Sequence, residues 1–249
     1  MPPQTMSHFP ALPVPLGVDA VTTGARECPY LPGRKEVSRA FRCDHVPGWA
    51  YQALMDAGFR RCGDVFYQMC CPGCRACVPL RVPVAAFRPS KSQRRTLRRN
   101  TDLSLSFGRP RLTEEKHRLY ARYLEMRHDG KMSGSWQELE GFLYRSPTDT
   151  VEMTYRDPAG ALLGVGICDL TPVAVSTVYF YFDPDQARRG LGTFSSLTEI
   201  AVARSLGLSY YYLGFWVKGC ARMEYKSRLR PSEALCTDGR WRPFGEGRG

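Results

Sequence analysis

No stretch of this sequence approaches the roughly 18 consecutive apolar residues that a membrane-spanning helix requires. The first residues, MPPQTMSHFPALPVPLG, also lack the basic segment and the continuous apolar segment of a secretory signal peptide. These absences predict a cytoplasmic protein that has no membrane partner. Because a reducing compartment disfavours structural disulfides, the ten cysteines are expected to serve metal binding, catalysis or packing.

Acidic residues are few compared with basic ones, since 24 Asp and Glu stand against 35 Lys and Arg. The resulting formal net charge of +11 favours an anionic partner. Nucleic acid fits this excess better than a membrane surface does, because no basic amphipathic anchor is evident. A basic protein without such a partner is the alternative that composition alone leaves open.

The sequence contains no internal repeat, and its pattern changes once along the chain. Five prolines and little hydrophobic periodicity predict a flexible arm for residues 1–24, and residues 237–249 are predicted to form a flexible tail. Residues 25–143 combine cysteine-rich loops with helical segments, which predicts an N-terminal cysteine-rich α/β region. Residues 150–236 are rich in strand-forming residues.

The strand-rich part is predicted to contain three strands, a helix and a further strand. In chain order the segments are TVEMTY, ALLGVGICDL, STVYFYF, TFSSLTEIAVARSLG and SYYYLGFWV. β-Branched and aromatic residues bounded by turn residues indicate the strands, and apolar residues at helical spacing indicate the helix. This order predicts an α/β (α+β) fold with a mixed sheet.

The same order, with the glycine-bearing loop RRGLGT before the helix, resembles the core of the GNAT N-acetyltransferase superfamily. In that superfamily the loop presents backbone N–H groups to a pyrophosphate, as helix N-termini generally can. Gly190 and Gly192 occupy the two glycine positions and are candidate substrate-binding residues. Ala187 stands where the superfamily has Gln or Arg, which argues against coenzyme A as the ligand.

The segment RPSKSQRRTLRRN predicts a basic helix. Ser90 and Gln93 have the spacing of a capping box, which places the helix start at this point. Five basic residues then share one helix face: Lys91, Arg94, Arg95, Arg98 and Arg99. Like charges at this spacing repel one another, so we expect the face, together with Gln93, to bind nucleic-acid phosphates. A solvated helix face is the alternative.

Four cysteines lie within eight positions in the segment MCCPGCRACVPLR. Cys71, Cys74 and Cys77 have the C-x2-C-x2-C spacing that allows thiolates to converge on one ion. The fourth cysteine of a ferredoxin-type motif is absent, so Cys28 is the candidate fourth ligand and Cys70 an alternative. Sulfur ligands predict zinc or an iron–sulfur cluster. A set of free, buried cysteines is the competing interpretation.

Several segments together resemble the aminoacyl-tRNA–protein transferases of the N-degron pathway, the arginyltransferases and their bacterial leucyltransferase relatives. These segments span most of the chain in the right order. They are CPYLPGR (28–34), GFRRCGDVFYQMCCPGCRACVPLRVPV (58–84), FRPSKSQRR (87–95), VYFYFDPDQARRGLGTFSSLTEIA (178–201) and YYYLGFWVKGCARMEYKSRLRPSEALC (210–236). The form C-P-x-C-x-x-C-V-P is similar to the bacterial branch.

The resemblance implies transfer of leucine from leucyl-tRNA to the N-terminal Asp or Glu of proteins, which marks them for degradation. The aminoacyl ester is already activated, so transfer requires no cofactor, in keeping with the absence of a P-loop motif. Eukaryotic arginyltransferases have a motif similar to C-x-x-C that is associated, with an adjacent Cys-Cys pair, with an iron–sulfur cluster. Here Leu31 replaces the second cysteine of that motif, and Cys74 and Cys77 are the candidates to supply the missing ligand.

The resemblance also implies roles for single residues. Arg81 is the candidate receptor for the acidic side chain, because a guanidinium binds a carboxylate bidentately, and an inward-facing structural arginine is the alternative. Asp183 is the candidate base or amine-orienting carboxylate, with a turn role as its alternative. Tyr179 and Tyr181 are candidate catalytic hydroxyls or leucine-pocket residues. Packing in the sheet is the alternative role for these two tyrosines. Lys226 is expected to contact tRNA.

Three other functions remain open at this level. The first is transfer of arginine to the same acidic N-termini, which differs from leucine transfer only in the aminoacyl-tRNA that serves as donor. A coenzyme A-dependent acetyltransferase needs a ligand that the sequence disfavours at Ala187. A non-catalytic, metal-bearing RNA-binding module leaves the GNAT-like part of the chain without a role.

Overall fold

A computed structural model describes residue 14 together with residues 16–128 and 134–245. The helices are α1 (Gly48–Asp56), α2 (Lys91–Arg99), α3 (Glu114–His128), α4 (Trp136–Leu139) and α5 (Leu191–Ser205). The strands are β1 (Val21–Thr22), β2 (Arg26–Glu27), β3 (Lys35–Glu36), β4 (Ser38–Arg42), β5 (Arg60–Cys62), β6 (Val65–Met69), β7 (Cys77–Pro83), β8 (Ser104–Gly108), β9 (Thr150–Arg156), β10 (Leu162–Leu170), β11 (Ala174–Phe182), β12 (Tyr210–Val217), β13 (Glu233–Leu235) and β14 (Trp241–Pro243). The chain also forms a π-helical turn, Glu140–Tyr144, and 3₁₀ helices at Pro184–Arg189 and Glu224–Arg228. Within these ranges, no helix has both the length and the apolar composition needed to cross a membrane.

The core of the fold is an eight-stranded mixed sheet with the strand order β14-β13-β7-β12-β11-β10-β9-β8. Strands β9, β10 and β11 form an antiparallel meander. Helix α5 then crosses over the sheet, so that β12 pairs parallel to β11. This is the predicted order of three strands, a helix and a strand. The predicted α/β (α+β) fold with a GNAT-like mixed-sheet core is therefore confirmed.

Strand β7 belongs to the N-terminal part of the sequence but lies inside the large sheet. It pairs antiparallel with β12 on one side and with β13 on the other. Strand β8 likewise precedes residue 143 and pairs with β9 at the far end of the same sheet. The predicted regions 25–143 and 150–236 therefore share one sheet rather than forming two separate ones.

Both of the predicted flexible ends contain paired strands. Strand β1, within the predicted arm 1–24, pairs with β4, and Leu16 and Val18 pack against the buried cluster around α1. Strand β14, within the predicted tail 237–249, pairs with β13. The prediction of flexibility is wrong for these strands, because each pairs with another strand and is ordered by that pairing. Residues 1–13, 15 and 246–249 lie outside the described residues.

Helices and a second sheet cover the two faces of the large sheet. On one face, Phe194 of α5 shares a buried cluster with Leu80 of β7 and Phe180 of β11. On the other face, Leu119 of α3 shares a cluster with Tyr181 of β11. A four-stranded sheet of order β1-β4-β6-β5 carries α1 and forms the cysteine-rich N-terminal α/β region.

One buried ion pair joins the four-stranded sheet to the large sheet. Arg61 of β5 donates from Nε and Nη2 to the two carboxylate oxygens of Asp169 on β10, at 2.6 and 2.5 Å. Neither side chain has any exposed area. Thr150 donates a further hydrogen bond to Asp169, and Arg61 donates to the carbonyl of Gly63. These bonds offset the cost of burying two charges, but they also make each charge dependent on its partner.

We expect Asp169→Asn to lower the free energy of unfolding by about 3–5 kcal/mol, because it leaves the Arg61 guanidinium buried without a counter-ion. Urea unfolding monitored by circular dichroism measures the loss. Asp64→Asn is the matched control, since it removes the exposed Arg42–Asp64 pair and should cost less than about 1 kcal/mol. Equal losses in the two variants would contradict this assignment.

Candidate functional site

The parallel pairing of β11 with β12 stops early and leaves a gap between the two strands. The ladder contains Ala174 with Tyr210, Val175 with Tyr211 and Ser176 with Tyr212, although β11 continues to Phe182 and β12 to Val217. Gly214, at φ +75°, lies at an irregularity in the register of β12 with β7. Beyond the ladder, the facing backbone groups of the two strands are available to other partners. We call this opening the interstrand gap.

Two buried cations point into the interstrand gap. Arg60 of β5 donates from Nη2 to the carbonyl of Thr177 at 2.7 Å, and Lys226 donates from Nζ to the carbonyl of Phe215 at 2.8 Å. Each residue is only 8% exposed. Desolvation, followed by repulsion from Arg60, lowers the pKa of Lys226 to about 7. The ammonium of Lys226 therefore lies inside the protein rather than on the basic surface, and its contact with tRNA stays a prediction.

Arg60 is a residue that the sequence prediction missed. It is followed by Arg61 in a strand, where adjacent side chains point to opposite faces. Both arginines are buried, so each needs its own partner. A pair of consecutive arginines between Phe59 and Cys62 is the signal that could have identified them.

A cleft lined by hydroxyl groups lies between α2, the start of α5 and the 3₁₀ helix Glu224–Arg228. Its volume is about 190 Å³. The lining residues are Ser90, Ser92, Gln93, Thr96, Thr193, Ser196, Tyr225, Arg228 and Leu229. Hydroxyl groups, a guanidinium and a helix N-terminus are suited to phosphate and ribose oxygens. We call this feature the hydroxyl-lined cleft.

The glycine loop enters α5 at the edge of this cleft. Gly190 adopts a left-handed conformation, with φ +69°, and α5 has no side-chain N-cap. The first N–H groups of the helix are therefore available to a ligand. A Cβ added at Gly190 would lie 3.6 Å from Thr96 of α2, whereas one added at Gly192 would meet nothing within 4 Å. The structure thus brings the predicted glycines beside the predicted basic helix.

The basic helix forms as the sequence predicts. Ser90 Oγ accepts from the backbone N–H of Gln93, whose side chain accepts from the backbone N–H of Ser90 at 2.8 Å. The five basic residues are exposed, and none forms an ion pair with a described carboxylate: Lys91, Arg94, Arg95, Arg98 and Arg99. Gln93 is buried and donates to the carbonyl of Arg228, so its side chain positions the helix. We call the five exposed cations the basic stripe.

Arg81 already has two carboxylate partners. Its Nε donates to Glu233 and its Nη1 donates to Asp56, both at 2.8 Å. Its guanidinium carbon lies 3.9 Å from the ring centroid of Tyr210 and 4.3 Å from that of Trp241. Two carboxylates already neutralise this one charge. These contacts favour the alternative of a structural arginine over the predicted role of Arg81 as the receptor for the acidic side chain.

Asp183 lies where the sequence places it, at the end of β11, and its Oδ1 accepts two hydrogen bonds. It accepts from the backbone N–H of Asp185 at 3.1 Å, as the cap of a 3₁₀ helix. It also accepts from Nη2 of Arg122 at 2.9 Å. The structure therefore shows the turn role, and the catalytic role of Asp183 stays a prediction.

The two predicted tyrosines differ in their surroundings. Tyr181 is fully buried and shares a 2.7 Å hydrogen bond between its hydroxyl and that of Tyr144, which makes it a packing residue. Tyr179 lies among the rings of Tyr120 and Phe142. Its hydroxyl is buried and has no hydrogen-bond partner among the described residues. Burial raises the pKa of both hydroxyls, so each remains a neutral donor at physiological pH.

The predicted metal ligands lie near one another without forming a metal-binding group. Burial, followed by repulsion from Cys71, Cys28 and Cys74, raises the pKa of the Cys77 thiol to about 12. Cys71 packs in a cluster with Phe215, and its sulfur accepts from the backbone N–H of Val37 at 3.3 Å. Across the described ranges, no three Cys, His, Asp or Glu side chains are arranged to hold a metal ion. Four thiols are suitable ligands for zinc or iron, but in this arrangement their sulfur atoms do not converge on one point where a metal ion could bind.

Comparison with known proteins shows which family this chain resembles. The family model described as Arginine-tRNA-protein transferase, N terminus, matches residues 26–95, and the corresponding C-terminus model matches residues 115–236. The aspartate/glutamate leucyltransferase of Pseudomonas putida (strain W619) is 41% identical over 223 residues, which cover 88% of this chain and 94% of the relative. The enzyme of that name from Pseudomonas savastanoi pv. phaseolicola is also 41% identical with the same coverage.

The chain belongs to the aminoacyl-tRNA–protein transferase family. As a member of this family it is an aminoacyltransferase, whose substrates are an aminoacyl-tRNA and a protein. FemX is a solved structure that is similar to 74% of this chain, with 10% identity, a TM-score of 0.48 and 65% of its own length covered. The C-terminal domain of a putative lysylphosphatidylglycerol synthetase from Agrobacterium fabrum is similar to 76% of the chain, with 13% identity, a TM-score of 0.46 and 57% of its own length covered.

We expect Arg95→Glu or Arg98→Glu in this transferase to weaken tRNA binding by roughly tenfold, because each reverses an exposed cation that the sequence predicts to contact phosphate. The slope of log K against log salt should fall by about 1 for each phosphate that is no longer neutralised. Filter binding at several salt concentrations measures both quantities. Arg240→Glu, an exposed arginine in the β13–β14 hairpin, is the control. An unchanged slope in the stripe variants would remove the basic stripe from the tRNA site.

We expect anaerobically purified transferase to bind one equivalent of zinc or iron through Cys28, Cys71, Cys74 and Cys77, the cysteine cluster, because a bound cation displaces the thiol protons and draws the sulfurs together. Elemental analysis, before and after reconstitution, measures the stoichiometry. Cys71→Ser should abolish binding, whereas Cys236→Ser, which changes another buried cysteine, should not. A metal content that is the same in both variants would assign these cysteines to packing.

Proposed function

We propose that this enzyme transfers leucine from leucyl-tRNA to the N-terminal Asp or Glu of proteins and thereby marks them for degradation. The observation that carries the proposal is the 41% identity to two proteins named aspartate/glutamate leucyltransferase, each covered over 94% of its length. Aminoacyl-tRNA is made and used in the cytoplasm, so we place the enzyme there.

The described features offer binding surfaces for the donor. The basic stripe suits the phosphates of the tRNA acceptor arm. Gly190 of the glycine loop lies close to Thr96 of α2, beside the hydroxyl-lined cleft. Tyr225 lines this cleft, and the next residue, Lys226, reaches the interstrand gap. We propose that the terminal nucleotide of the donor binds in the cleft and directs its aminoacyl ester towards the gap.

The reaction needs little chemical assistance once the two substrates meet. The α-amine of the acceptor attacks the ester carbonyl carbon, an amide bond forms, and the ester C–O bond breaks. The terminal ribose oxygen leaves with a proton while the attacking amine loses one. Holding amine and ester together supplies a large share of the rate, since well-oriented groups react with effective molarities of roughly 10⁵ M or more.

Arginyl transfer is the second candidate, because both matching family models are described as arginine-tRNA-protein transferases. It uses the same acceptor and the same bond exchange. The two proposals differ in the pocket that receives the donor side chain, which is apolar for leucine and acidic for arginine. A direct comparison of donors therefore separates them.

We expect purified enzyme to transfer label from leucyl-tRNA, and not from arginyl-tRNA, to peptides that begin with Asp or Glu. A peptide that begins with Lys should gain no label, because it has no carboxylate to be recognised. Incorporation of radiolabelled amino acid into peptide measures each rate, and acetyl-coenzyme A with the same peptides is the control for an acetyltransferase. Preferential use of arginyl-tRNA would replace the leading proposal with the second one, and no labelling from either donor would exclude both.

A further inference from the structure

The buried charges of the described residues are almost all compensated. The charged side chains classed as buried are Arg60, Arg61, Lys116, Glu152, Asp169, Glu199 and Lys226. Arg61 is paired with Asp169, and Lys116 is paired with Glu152. The carboxyl of Glu199 accepts hydrogen bonds from Ser195 and Tyr211, and burial raises its pKa. Compensation of this kind is expected, since an isolated charge is costly to bury.

Arg60 and Lys226 are the exceptions, because neither forms an ion pair with any carboxylate in the described ranges. Their described oxygen partners are main-chain carbonyls, those of Thr177 and Phe215. A guanidinium and an amine whose pKa is lowered to about 7 thus lie inside the protein without an anion. Carbonyl dipoles lessen the cost of this arrangement but do not cancel either charge.

Both cations face a single point, at Gly214. Nε of Arg60 and Nζ of Lys226 each lie 3.5 Å from the position that a Cβ at Gly214 would occupy. The two nitrogens are therefore separated by no more than twice that distance. The φ of +75° at Gly214 disfavours any L side chain, so the chain itself does not fill this point. An ammonium has three donors and a guanidinium five, which leaves N–H groups for a ligand.

A carboxylate is the ligand whose charge and shape match this pair. It supplies the missing negative charge and has two oxygens, one for each cation. The other arginine near β12, Arg81, cannot serve, since Asp56 and Glu233 already hold it. We propose that Arg60 and Lys226 together bind the side-chain carboxylate of the acceptor's N-terminal Asp or Glu in the interstrand gap. This inference rests on the proposed function, from which it takes the acidic acceptor.

The proposal explains how the enzyme would select acidic N-termini. Arg60 and Lys226 have no counter-ion within the described residues, and the carboxylate of the acceptor supplies one. An amide side chain of the same shape, in Asn or Gln, leaves both cations without a counter-ion and is rejected for that reason. A bound carboxylate also fixes the residue that carries the attacking amine. Recognition and positioning of the nucleophile are then one event.

The test compares two peptides that differ only in N-terminal Asp or Asn, assayed with leucyl-tRNA. Lys226→Met should lower the Asp-to-Asn ratio of kcat/KM by about ten- to a hundredfold, because it removes one charge-assisted hydrogen bond. Lys226→Arg keeps the charge and should keep most of the ratio. Lys218→Met, an exposed lysine in the same segment, should leave the ratio unchanged. An equal decrease in kcat/KM for both peptides in Lys226→Met would overturn the proposal.

A binding measurement separates this inference from the proposed function. Calorimetric titration of the wild-type enzyme with the two peptides needs no aminoacyl donor, and the Asp peptide should bind at least about tenfold more tightly. This preference should persist even if the enzyme proves to use another aminoacyl-tRNA. Equal affinity for the two peptides would contradict the proposal that Arg60 and Lys226 bind the acceptor's side-chain carboxylate. Arg60→Met provides a second variant in both assays should Lys226→Met fail to fold, and circular dichroism identifies that failure.

Discussion

The antiparallel pairing of β7 with β12 is the interaction on which the arrangement of the site depends. It places Cys77 opposite Val217 and Arg81 opposite Tyr212, so the cysteine cluster and the Arg81 network are fixed to the strand that borders the interstrand gap. The Arg61–Asp169 ion pair adds a second link between the N-terminal α/β region and the large sheet. The ladders of β7 with β12 and β13, and of β8 with β9, therefore connect the two halves of the sequence within one sheet.

The positive charge of the protein has two distinct physical roles. The basic stripe is exposed, so salt screens it and it attracts phosphate with little selectivity. The buried cations act at short range in a medium of lower dielectric, where each one requires a specific partner. Arg61 and Arg81 have such partners within the protein and hold the two sheets in place. A net charge of +11 thus combines non-specific attraction outside with selective pairing inside.

The features that the sequence predicted correctly are those encoded locally. The capping box of α2 involves residues three positions apart, and the strand and helix patterns from residue 150 onward are properties of short segments. The failures involve distant partners. Arg81 is held by Asp56 and Glu233, which are 25 and 152 positions away, and Arg60 reaches the carbonyl of Thr177, 117 positions away. Side-chain partners at such separations follow from the fold and are not visible in the local pattern.

The contacts of Trp241 have a consequence for biosynthesis. Its indole N–H donates to the carbonyl of Asp56, 185 positions earlier, and its ring packs on Arg81 and Tyr212. A ribosome produces the C-terminal end of α1 long before it produces residue 241, so the nascent chain carries that helix without its last covering partner. Translation must therefore pass β14 before the C-terminal end of α1 and the side chains of Arg81 and Tyr212 acquire their final packing.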